Sequence, residues 1–114
     1  LVGDAASMVK ARTLGGINQR LIGADAAAEA ITENADYEKL WKKRMGMDLY
    51  ISLMMRKAME RFSNRDYDKL VGMFKKEKNR QLLEKYDRDE PSRFALELLM
   101  KEPKLLLFAK KAWF

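Results

Sequence analysis

The sequence predicts an all-α chain of five or six helices, on three observations. Apolar residues recur at three- and four-residue intervals through most of its 114 residues, the spacing of one face of a helix. Helix-start signals punctuate that pattern at Asp36, Ser63 with Asp66, Pro91 and Pro103. No segment alternates convincingly with period two. The one hint of a strand is Leu1-Val2, which runs straight into a glycine and reads as the end of a strand whose beginning is missing.

The first helix is expected over about 17–31. Ile17, Leu21, Ile22, Ala24, Ala28 and Ile31 fall close to one face. The alanines between them, Ala26, Ala27, Ala28 and Ala30, would let another backbone come close, which suits a helix lying against a sheet. "TENAD" ends this helix, and Asp36 can cap a long second one over about 37–62. There Tyr37, Leu40, Trp41, Met45, Leu49, Leu53, Met54, Ala58, Met59 and Phe62 keep the helical spacing. Gly46 falls inside that run and costs about 1 kcal/mol relative to alanine, so a bend or a close contact is expected there.

Ser63 and Asp66 are spaced as a capping box, and short helices follow around 69–76 and 80–86. "DRDEPSRF" marks the next boundary, with Pro91 suited to a first helical turn. Pro103 repeats the device before "KLLLFAKKAWF". The methionines at 45, 47, 54, 55 and 59 are expected to fill irregular core space. They could also line a route for an isoprenoid tail.

Composition removes several chemistries. The chain has no cysteine, which excludes disulfides and thiolate metal sites, and no histidine, which removes the commonest metal ligand and proton-transfer group. No metal site is therefore expected, and no catalytic residue stands out. The formal charge of +6 permits an anionic partner. Signatures of nucleic-acid binding are missing, since there is no RNP-like aromatic strand, zinc finger or clear helix-turn-helix glycine. The longest apolar stretches fall far short of the roughly 20 residues of a spanning helix. The absence of cysteine favours a reducing, cytoplasmic compartment. The basic, aromatic-ended segment "KEPKLLLFAKKAWF" would suit peripheral contact with a membrane as well as docking on the other helices.

Chemistry concentrates at the start. Gly3-Asp4-Ala5-Ala6 is followed by Gly15-Gly16-Ile17 opening the first helix. Glycines at a helix start let backbone N–H groups approach a ligand, where the helix dipole favours negative charge. A carboxylate just after a strand end can accept hydrogen bonds from sugar or ribityl hydroxyls, and small alanines leave room for a cofactor to lie close.

Taken in order, "GDAASMVKARTLGGI" with its alanine-rich helix resembles the second FAD-binding motif of the geranylgeranyl reductase family, flavoproteins of the p-hydroxybenzoate hydroxylase type. Against the pattern G-D-A-A-G-x-V-x-P-x-T-G-G-G-I the chain keeps Gly3, Asp4, Ala5, Ala6, Val9, Thr13, Gly15, Gly16 and Ile17. Ser7, Ala11 and Leu14 depart from it. Tyr37, Trp41 and Gly46 are similar to a further family segment, Y-x-x-x-W-x-x-x-x-G. Asp89, Pro91, Pro103 and Leu105 resemble the family's closing helices.

The resemblance implies the C-terminal part of an α/β FAD-binding oxidoreductase, with residues 1–34 ending the FAD-binding domain and residues 35–114 forming a C-terminal helical domain. Gly3, Asp4, Ala5, Gly15, Gly16 and Ile17 would then bind FAD. Asp4 would take the ribityl chain, and the backbone of Gly16 and Ile17 would face the pyrimidine edge or the pyrophosphate. The family's G-x-G-x-x-G turn, which holds the adenosine half, does not occur in this sequence. The chain alone is therefore expected to bind FAD weakly or not at all, and its partner is expected to be the rest of a parent enzyme. That parent would reduce isoprenoid carbon–carbon double bonds of lipids or diphosphates. The alternative expectation is a non-catalytic helical interaction or membrane-surface module.

Overall fold

A computed structural model describes residues 1–10, 15–86, 91–107 and 110. No strand occurs among the described residues, and the architecture is all-α. The chain divides into two compact units, Leu1–Leu53 and Met54–Phe114. Within the first unit the first helix packs on the residues that follow it.

In the first unit Val2 keeps extended backbone (φ −134°, ψ 150°), but no strand forms. The chain turns at once into a 3-10 turn, Gly3–Ala6. Helix α1 (Ile17–Glu33) ends on Asn34 in the left-handed conformation, its N–H donating to the Ala30 carbonyl. Asp36 caps α2 (Tyr37–Trp41) as the sequence predicts, accepting from the N–H groups of Glu38 and Lys39 at 3.0 and 3.2 Å. A π turn, Lys42–Gly46, then leads into α3 (Met47–Glu60). Such turns are commonly single interruptions of an α-helix. Gly46, where a bend or a close contact is expected, closes this π turn.

The buried face of α1 is not the expected one. Gln19, Gly23 and Ala26 are buried, while Ile17, Leu21 and Ile31 are 65–83% exposed. The small residues explain the reversal. A Cβ at Gly23 would lie 3.0 Å from the Met8 sulfur and 3.3 Å from Val2 Cγ1, so glycine permits this close approach. Met8, Ala26 and Met45 form the buried apolar centre. Each methionine contributes about 1.5–3 kcal/mol by leaving water. Arg44, on the π turn, ties back to α1 through Asp25 (2.8 Å) and Glu29. Met45 is the core methionine the sequence anticipates. Met47 is not, being 64% exposed.

The second unit holds α4 (Asn64–Phe74), α5 (Glu77–Lys85), α6 (Pro91–Lys101) and a 3-10 turn, Pro103–Leu105. The Ser63–Asp66 capping box forms, so α4 starts at its cap rather than near residue 69. Pro91 opens α6. Leu82 and Leu98 are buried, and Phe94 stacks on Phe74 (6.3 Å) and meets Tyr86 edge-on (6.5 Å). Asn79 is fully buried, its Nδ2 donating to the Met73 carbonyl (2.9 Å) and to Glu102 Oε1 (3.3 Å).

Candidate functional site

The opening motif folds into one tight structure. Gly3 sits at φ +66°, in the left-handed region glycine tolerates. The Ser7 N–H donates to the Asp4 carbonyl (2.9 Å) and the Met8 N–H to the Gly3 carbonyl (3.0 Å), closing the turn. The Lys10 N–H reaches the Gly15 carbonyl at 3.0 Å, which returns the chain to the start of α1. Thr13 and Leu14 lie outside the described residues.

These bonds bring Gly3, Asp4 and Gly16 together. A Cβ at Gly16 would stand 3.2 Å from Asp4 Oδ1 and 2.9 Å from Val9 Cγ1. Gly16 is therefore required for α1 to begin beside the carboxylate. Ala5 is exposed next to Asp4, Gly15 is half-buried, and the Ile17 side chain stands 73% exposed. Tyr37 anchors the segment from the other side, donating to the Leu1 carbonyl at 3.1 Å.

Sequence reasoning missed one member of this site. Arg20, one turn into α1, holds Asp4 in a forked ion pair, with Nε 2.8 Å from Oδ1 and the terminal NH2 on Oδ2. The hydrogen bonds to Asp4, and then its charge, raise the Arg20 pKa. Its position four residues after Gly16 is a signal only once the turn is known to fold back. Both side chains are about half exposed. A carboxylate offers about four lone-pair sites, and Arg20 occupies one on each oxygen. Asp4 keeps acceptor capacity facing solvent, open to a hydroxyl or N–H donor.

An apolar cavity of about 720 Å³ lies beside the turn, lined in part by Ala6, Met8 and Val9 and, from the π turn and its flanking helices, Trp41, Met47 and Tyr50. Among the described residues no group of three or more His, Cys, Asp or Glu could hold a metal ion.

The fold and the turn belong to an all-α chain whose sequence is weakly similar to a geranylgeranyl-lipid reductase. It is 29% identical over 121 residues to the digeranylgeranylglycerophospholipid reductase 2 of Methanopyrus kandleri. That similarity takes in 96% of this chain but 30% of the relative's length. No protein-family model matches the chain, and no solved structure matches it.

Proposed function

We propose that this chain forms the flavin-facing turn and the C-terminal helices of an FAD-dependent reductase acting on isoprenoid double bonds of a lipid. The observation that carries the reading is Asp4, a half-exposed carboxylate fixed beside Gly16 at the start of α1. Similarity to a reductase of a digeranylgeranyl glycerophospholipid, running the length of the chain, supports it.

When bound, FAD would supply hydride transfer to a carbon–carbon double bond. The contribution of this chain is placement. Asp4 would accept ribityl hydroxyls, and Arg20 fixes the orientation of its carboxylate. Gly3 and Gly16 would act by letting the turn close around Asp4, and Ala5, Gly15 and the backbone of Ile17 would add little bulk beside the cofactor. The apolar cavity beside the turn has the lining an isoprenoid chain requires, with Trp41 and Met47 on its wall.

A hydrogen bond from a ligand to a charged acceptor is worth roughly 1.5–3 kcal/mol. Asp4→Ala, made in the longest reading frame that contains this chain, is expected to weaken flavin retention about tenfold or more. The measurement is flavin absorbance after dialysis. Retention equal to wild type would remove the cofactor assignment.

A further inference from the structure

The charge of the chain is unevenly placed. Residues 1–53 carry seven basic and seven acidic residues, whereas residues 54–114 carry sixteen basic and ten acidic. The whole net charge of +6 therefore belongs to the second unit.

Within that unit a groove of about 600 Å³ runs between α4 and the segment after α6. Asp66, Lys69, Met73 and Lys76 line it from α4, and Lys104 and Leu107 from the other side. Gly72 opens its floor, for a Cβ there would meet nothing within 4 Å. Its acidic groups are already engaged. Asp66 is bound in the capping box with Ser63, and Glu102 receives Lys76 (3.0 Å), Lys78 (3.1 Å) and Asn79. Lys69 and Lys104 make no ion pair among the described residues, and both are exposed. Leu107 on the groove wall is 64% exposed, and its chain neighbour Leu106 is 55% exposed.

Two ammonium groups with no ion pair among the described residues, flanking an apolar floor, complement one kind of surface. An anionic bilayer presents phosphates at headgroup level and hydrocarbon beneath them. A free anion would use the lysines but leave Leu106 and Leu107 in water. We propose that this groove docks the chain on an anionic phospholipid bilayer, with Lys69 and Lys104 on headgroup phosphates and Leu106 and Leu107 entering the interface. The choice of a phospholipid rests on the lipid-reductase reading, while the groove and its charge do not.

The test is cosedimentation of the protein with vesicles of phosphatidylglycerol mixed into phosphatidylcholine, and with phosphatidylcholine alone. Binding is expected only to the anionic vesicles, and it should fall as salt rises. Lys69→Gln with Lys104→Gln should weaken it about tenfold or more, since each lysine near such a surface contributes appreciably. Lys39→Gln with Lys43→Gln, the same loss of charge in the first unit, should change it less than twofold. Leu107→Asp, which leaves both lysines in place, should also release the protein. Helicity by circular dichroism checks that each variant is folded. Failure of the wild-type protein to bind, equal weakening by the two lysine pairs, or displacement by inorganic phosphate at unchanged ionic strength would each overturn the proposal. No flavin enters this measurement, so its failure leaves the Asp4 assignment standing, and loss of that assignment leaves this test unmoved.

Discussion

The two units are closed by different materials. The first buries two methionines against a glycine and an alanine, so backbones come close and little hydrocarbon is enclosed. The second buries two leucines, pairs its aromatic rings, and sets Glu97 and Glu102 among lysines. Their electrostatics differ in the same way, since the first is neutral overall and the second carries the excess of basic residues. A close-approach core puts the Asp4 turn in register with α1. A charged, ring-packed core instead leaves a basic face to the surroundings. The division of labour proposed above follows that contrast.

Removing core volume tests the contrast most severely. Leu82 is 1% exposed, and Leu82→Ala is expected to cost about 2–5 kcal/mol. Met45→Ala removes comparable volume from the first unit, where the neighbouring Met8 can shift into the gap, and should fall near the lower end of that range. Hydrogen exchange by mass spectrometry reads where protection is lost. Leu82→Ala should expose α5 and α6 first, and Met45→Ala should expose α1 and α2. If either variant releases both units together, they are one cooperative body and the comparison fails.

Acid should separate the units next. The Tyr86 hydroxyl and then Lys85 hold the Glu97 carboxyl at about 2, and Lys76, Lys78 and Asn79 do the same for Glu102. Both lie below the ordinary value of 4.5, so the folded state favours the ionised form. Their contribution is fully present above about pH 4.5 and is lost as pH falls through about 2. Thermal melts followed at α5 and α6 amide resonances should show a falling midpoint across that window. Glu97→Gln with Glu102→Gln should flatten the dependence. A wild-type midpoint that does not move there would mean that these ion pairs contribute nothing to the unit.

Much of this organisation is legible in the sequence because capping is local chemistry. Asp36, the Ser63–Asp66 pair and Pro91 each need only their own next few residues, and each stands at the start of a helix, although α4 begins earlier than expected. The methionine spacing likewise finds Met45. What the sequence hides is non-local. Size suggests that Ile17, Leu21 and Ile31 should be covered, yet Gly23 and Ala26 decide the face because Met8 and Val2 arrive from a distant turn. The Asp4–Arg20 pair is hidden for the same reason, since sixteen residues separate partners that only the fold-back joins. The motif's glycines are readable as a turn, but the reason Gly16 must be glycine lies in Asp4 and Val9.

The smallest expected effect sits in the Asp4 turn itself. Ser7 holds φ 57° and ψ 28°, left-handed backbone, at the position where the resembling motif carries glycine. For a residue with a Cβ that conformation costs roughly 1–2 kcal/mol. Glycine would relieve this cost but gains freedom in the unfolded chain, which offsets about 0.4–1 kcal/mol. The Ser7 side chain is exposed, so little packing is lost with it. Ser7→Gly should therefore stabilise the first unit by about 0.5 kcal/mol and leave α5 and α6 unchanged. Slower exchange of the Met8 amide, which donates to the Gly3 carbonyl across this turn, is the readout. Equal or faster exchange at Met8 would mean that the turn holds Ser7 without strain, and that the tight geometry around Asp4 is set by Gly3 and Gly16 alone.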